Sequence, residues 1–175
     1  ELFSGVSLDM LVPLVMACGA MASCRVRVIA SLALVPLIAP DDVPTCVLAL
    51  ARSLPASTSA NQVHGTILQL KALVDAALGR AASSSSSTFE AELGDWCALL
   101  LDALGPSLRL LRASCAVLRV ALVQLLGSLL LAVPPPRLRR LTHSIDELAS
   151  ELMERGHGWA YEGGVGGGIG GSGGG

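Results

Sequence analysis

Any chemistry would have to come from a small set of side chains. Cys18, Cys24, Cys46, Cys97 and Cys115 are odd in number, include no Cys-x-x-Cys pair and each sit among apolar residues. Disulfide frameworks and zinc sites need closer, paired spacing. These cysteines read as small buried hydrophobes in a reducing compartment such as the cytoplasm. His64, His143 and His157 have no metal-ligating neighbour at helical spacing. There is no Gly-x-Ser-x-Gly turn and no Walker-type phosphate loop. Gly-x-Gly-x-x-Gly strings occur only in a tail that is mostly glycine and follows no strand. The carboxylate pairs Glu90/Glu92 and Asp146/Glu147 lie in charge-dense helical segments and read as solvated faces. The expectation is a chain with no catalytic residue, no metal and no cofactor.

Charge is distributed unevenly. The net charge is −2, yet no acidic residue occurs from Ala103 to Ile145, where Arg109, Arg112, Arg119, Arg137, Arg139 and Arg140 give six positive charges. At about 100° per residue, a continuous helix over Ser107–Ala132 would gather Arg109, Arg112 and Arg119 within an arc of about 80°. Arginine suits bidentate recognition of phosphate. One reading is therefore a patch that meets RNA backbone. The other is ion pairing with the acidic flanks, Glu90, Glu92, Asp95 and Asp102 before and Asp146, Glu147, Glu151 and Glu154 after. No aromatic interrupts the patch, so reading of unstacked bases is not expected there.

The elements that must position these groups are helical. The 175 residues are 52% hydrophobic and only 3% aromatic, and the apolar content is mainly Leu and Ala. Ser7 can cap a helix running to Met21, kinked at Pro13. A second runs from Cys24 to Leu37. A third follows Asp41-Asp42 with Pro44 in its first turn, turns Val47, Leu48, Ala51 and Leu54 inward, and stops at Pro55. Asn61 can cap a fourth, with Val63, Ile67, Leu70, Leu73, Val74 and Ala77 inward and Gly79 at its end. Residues 80–87, with five consecutive serines, read as a loop. A Ser87/Glu90 capping box opens a fifth helix carrying Phe89, Leu93, Trp96, Cys97, Leu100 and Leu104. After Gly105-Pro106 a long helix reaches Ala132, and beyond Pro134-Pro135-Pro136 a last one spans residues 137–155. Residues 156–175 read as a disordered glycine-rich tail.

Mean hydropathy is high, +0.63. The longest uncharged stretch, Val120–Pro136, nevertheless contains Gln124 and ends in three prolines. A membrane span is not expected. About seven helices with short breaks imply an all-α fold, an α-solenoid of helical hairpins of HEAT/armadillo type, in which each helix is covered by neighbours. A compact helical bundle is the structural alternative. Residues 1–79 and 88–155 would be repeats on either side of the serine loop.

Three strings carry a resemblance. They are the run from Arg25 to Ile38 (RVRVIASLALVPLI), Pro40-Asp-Asp-Val-Pro, and Asn61-Gln-Val-His-Gly-Thr-Ile-Leu-Gln-Leu. Together they resemble the later part of the thyroid adenoma-associated protein family, over about Val12 to Leu78. In some relatives a basic residue is expected where Leu32 stands. The resemblance implies a large solenoid without catalysis of its own. Its partner would be an FtsJ-like tRNA 2′-O-methyltransferase that modifies anticodon-loop nucleotide 32, with tRNA as the shared substrate and no small-molecule substrate. Read residue by residue, Asn61, His64, Gly65 and Gln69 form a structural motif, with direct contact to a partner or RNA as the alternative. His64 would bond to the preceding loop or repeat, Gly65 would allow close helix approach, and Gln69 would tie to adjacent backbone. A general protein–protein adaptor without an RNA role is the competing reading.

Overall fold

The computed structural model describes residues 10–132, except residues 58, 84–86 and 114 and the side chains of residues 84–92. All of these belong to the first of two units, Glu1–Leu138 and Arg139–Gly175. The Ser7 cap, the Phe89 position, the Ser87/Glu90 box, the helix over 137–155 and the tail lie outside the described residues and side chains. Among the described residues there are six α-helices and no strand. They are α1 (Leu11–Cys18), α2 (Cys24–Leu34), α3 (Val43–Ser53), α4 (Ala60–Ala82), α5 (Ser87–Leu104) and α6 (Ala116–Ala132).

Proline and glycine set several of the boundaries. Pro36 sits in a 3-10 turn, Val35–Leu37, that tightens the end of α2. The chain then turns through 116° before the segment that contains α3. Pro44 lies in the first turn of α3, where its missing N–H is no loss. Pro55 converts the end of α3 into the 3-10 turn Leu54–Ala56. Pro13 falls in the first turn of α1, where its missing N–H costs no helical hydrogen bond, and the expected run from Ser7 lies outside the described residues.

Packing follows a two-row rule. α1 packs on α2, α3 on α4 and α5 on α6, which makes three hairpins. Between hairpins, α2 packs on α4 and α4 on α6, while α3 packs on α5. Contacts between helices two apart in the chain are what a stack of hairpins requires, and they decide against the compact bundle. α4, the middle of the α2–α4–α6 row, is covered on both flanks. In its first half, five consecutive residues, Val63 to Ile67, are buried. Further along, only Gln69, Leu70, Leu73, Val74, Ala77 and Ala81 are. The fully buried side chains are mostly leucines, among them Leu34, Leu70, Leu100 and Leu125. Each is worth about 1.5–3 kcal/mol relative to exposure.

Four boundaries depart from the sequence reading. α1 ends at Cys18 rather than Met21. The cap position of α4 is Ser59, in extended conformation, so Asn61 lies inside the first turn and its side chain is released for another partner. Gly79 does not end α4, which runs to Ala82 through the first residues assigned to the serine loop. A Cβ at Gly79 would meet nothing, so no contact there demands a stop. Finally, Ser107–Ala132 is not one helix. Gly105–Arg112 forms a 3-10 connector that ends at extended Ala113 before α6 begins. No single helix among the described residues is long and apolar enough to cross a membrane.

Candidate functional site

The polar residues of the Asn61–Gln69 string converge on the first hairpin. Arg27, on α2, is 6% exposed. Its Nε donates to His64 Nδ1 at 3.1 Å. Its Nη1 donates to Met21 O at 2.6 Å, Ala22 O at 2.8 Å and Asn61 Oδ1 at 3.0 Å. One guanidinium thus ties the α1–α2 turn, α2 itself and the first turn of α4. These acceptors are neutral, and among the described residues no carboxylate joins them. A turn further along α4, Gln69 Nε2 donates to Met16 O of α1 at 3.1 Å.

Between these two bonds the backbones touch. A Cβ on Gly65 would lie 1.8 Å from the carbonyl oxygen of Gly19. A Cβ on Gly19 would lie 2.6 Å from Gln69 Nε2. Both positions are buried, and at Gly65, where the obstacle is backbone, only glycine permits this crossing of α4 over the end of α1. Burial, and then the neighbouring Arg27 cation, lower the His64 pKa from its ordinary value. His64 is therefore neutral, with Nδ1 as acceptor and the ring proton on Nε2.

Asn61, His64, Gly65 and Gln69 all meet the first hairpin in one clasp. Arg27 was missed as its hub. The signal was present: Arg27 shares the α2 stripe of Ala30, Ser31 and Leu34, all buried. A lone cation on an apolar stripe must have acceptors waiting for it.

The arginine set is arranged differently from the expectation. Arg109 and Arg112 are exposed on the 3-10 connector, three residues apart and so on one side of it. Arg109 Nη2 donates to Pro55 O at 3.2 Å, which ties the connector to the end of α3. Arg119 is half-buried on α6 and its Nη1 donates to Ala113 O at 3.2 Å. The single helical stripe is corrected: the break at Ala113–Cys115 places Arg119 on a separate element. Arg137, Arg139 and Arg140 lie outside the described residues.

Nothing described assembles a nucleophile or a metal centre. Among the described residues no three His, Cys, Asp or Glu side chains come together. Burial pushes the Cys97 thiol up to about 11. Burial, and then Asp42, raise that of Cys46. Neither is an activated thiolate. Cys24 and Cys115 are exposed, which corrects the reading of all five cysteines as buried. A cleft of ≈ 160 Å³ between α3, α4 and α5 has mostly apolar walls, including Val43, Pro44, Leu93 and Trp96.

The family model described as "Trm732, C-terminal TPR repeats" matches residues 4–73, which contain the whole clasp. Three curated proteins named tRNA (32-2′-O)-methyltransferase regulator THADA are similar. The mouse protein (Mus musculus) is 34% identical over 127 residues, 70% of this chain. The dog protein (Canis lupus familiaris) is 36% identical over 78 residues, 42% of this chain. The chicken protein (Gallus gallus) is 32% identical over 130 residues, 71% of this chain. The chain spans only about 6% of the length of the mouse and chicken relatives and 4% of the dog one. No solved structure matches it significantly. The TPR description refines the expected HEAT/armadillo type, and both are stacked helical hairpins. An all-α stack of hairpins, the clasp inside the matched segment and the similarity across most of the chain agree: this chain belongs to the THADA family, in the region of its C-terminal repeats.

Proposed function

We propose that this chain is a non-catalytic segment of a regulator of tRNA 2′-O-methylation. It acts beside an FtsJ-like methyltransferase that modifies anticodon-loop nucleotide 32 and supplies the chemistry. The observation that carries this is the similarity over 127 residues to a protein named as such a regulator. The stacked hairpins suit a scaffold, because each repeat fixes the position of the next. The free thiols fit a reducing cytoplasm.

Within that role, the exposed Arg109 and Arg112 are the residues we read as meeting tRNA phosphate, and Arg119, Arg137, Arg139 and Arg140 complete the candidate set. The test reconstitutes methyltransferase, tRNA and the regulator carrying this segment. Changing Arg109 and Arg112 together to Glu should weaken tRNA binding and flatten its salt dependence. Methylation at nucleotide 32 should fall in parallel. Unchanged binding refutes the patch. Methylation that is indifferent to the whole segment refutes the regulatory reading and favours a general adaptor.

A further inference from the structure

The turns that close the three hairpins lie along one edge of the stack. Arg27 ties the α1–α2 turn to the first turn of α4. Arg109 ties the α5–α6 connector to Pro55, where α3 gives way to α4. The junction between α2 and α3 lies at the other edge, where Pro40 and Asp41 line a cleft with Ala77 and Arg80 near the end of α4. Charge divides between these edges. The turn edge holds Arg27, Arg52, Arg109, Arg112 and Arg119, against one carboxylate among the described residues, Asp102 in the last turn of α5. The other edge holds Asp41 and Asp42 with Arg80. α2, α4 and α6 all begin at the turn edge, and none has an acidic residue in its first turn, so their positive ends add to the arginines there.

Arg52 is the new member of this set. It is exposed in the last turn of α3. α3 belongs to the middle hairpin, with a described hairpin on either side, so repeats stacked on either end would leave Arg52 uncovered. Pro55 follows three residues later, so the Arg109 guanidinium is held within one helical turn of Arg52. Arg109 uses Nη2 on Pro55 O, which leaves Nε and Nη1 for a further acceptor. No large apolar side chain is exposed on α3, on the Leu54–Ala56 turn or on the connector. A protein partner would want such an anchor, whereas phosphate needs only the guanidinium forks. We infer that Arg52 joins Arg109 and Arg112 in one basic ridge, which crosses from the second hairpin to the third and follows the phosphate backbone of tRNA. This rests on the tRNA reading of the two connector arginines above.

The test measures binding of an unmodified tRNA transcript to the regulator carrying this segment, between about 50 and 200 mM salt. Arg52→Gln should lower the slope of log affinity against log salt by about 0.7–0.9, the share of one phosphate contact. Binding at fixed salt should weaken by up to about fivefold, as for an exposed ion pair. Arg52→Lys should keep the wild-type slope. Arg80→Gln removes the same charge at the other edge and should leave the slope alone. A merely structural role, complementing the negative end of α3, would lower the Tm of Arg52→Gln without moving the slope. Circular dichroism verifies folding, and if Arg52→Gln unfolds, Arg52→Ala, the better helix former, repeats the measurement. A slope unchanged at Arg52 overturns the inference. If Arg109→Gln still lowers it, the connector patch stands alone; if neither does, both fall. An equal effect of Arg80→Gln also overturns the inference, because overall charge then suffices. So does an unchanged slope with weakened methyltransferase binding, which would make the ridge a protein contact.

Discussion

Gly65→Ala tests the clasp most sharply. The new methyl carbon would start 1.8 Å from Gly19 O, and ordinary contact needs about 3.4 Å. The α1 and α4 backbones would have to part by about 1.5 Å. Backbone cannot swing aside as a side chain can, so this is overpacking of the rigid kind, costing about 1–3 kcal/mol. Separation also breaks the Gln69–Met16 hydrogen bond, worth about 1 kcal/mol. The sum is about 2–4 kcal/mol. For a unit of this size that corresponds to a Tm lower by about 8–15 °C. α1 contributes no fully buried side chain, so it has little else to hold it. Hydrogen exchange should therefore show α1 losing protection first. Gly19→Ala is the control. Its closest contact is the flexible Gln69 amide, which can move, so the loss should be nearer about 1 kcal/mol. A Gly65→Ala chain that melts within about 2 °C of wild type would refute the reasoning.

Three further outcomes follow from the same geometry. Arg27→Met leaves His64 Nδ1, Asn61 Oδ1 and two turn carbonyls without their donor, and should cost about 3 kcal/mol in denaturant unfolding. His64 is held neutral in the folded chain, while the unfolded chain takes up a proton near pH 6.5. Acid therefore favours unfolding: stability should fall as pH drops through about 6.5 and level off below the lowered folded value. His64→Gln, which keeps an acceptor for Arg27, should remove that component in paired melts at pH 7.5 and 5. The Ser107 hydroxyl is fully buried and has no hydrogen-bond partner among the described residues, so Ser107→Ala should be neutral or stabilising by up to about 1 kcal/mol, read from the thermal midpoint.

Much of this architecture can be read from residue spacing. The stripe Val63, Ile67, Leu70, Leu73, Val74 and Ala77 is buried as the helical period requires, and so are Trp96, Cys97, Leu100 and Leu104 on α5. Proline marks the ends of α2 and α3 because its ring and missing N–H act locally. The break between the connector and α6 was not legible. Neither Ala113 nor Cys115 is a proline or glycine, so no local breaker marks the extended backbone at Ala113. The cap of α4 was misplaced by two residues because Asn61 is as good a capping type as Ser59, and only Arg27 on another helix decides what Asn61 does. Gly79 misled for a related reason: an exposed glycine costs a helix only about 1 kcal/mol, which α4's packed face outweighs. Of the candidate site, the motif residues could be named from sequence, but their common partner lies 34 or more residues away and needed the fold.

The claim beneath all of this is that the Asn61–Gln69 string joins hairpins and touches no external partner. It is tested by nucleotide-32 methylation in the reconstituted system with Asn61→Ala and Gln69→Met variants of the segment, at a temperature where circular dichroism shows both folded. The account predicts wild-type methylation from the folded variants, with loss only on heating past their lowered midpoints. A variant that stays fully folded yet no longer supports methylation would contradict it.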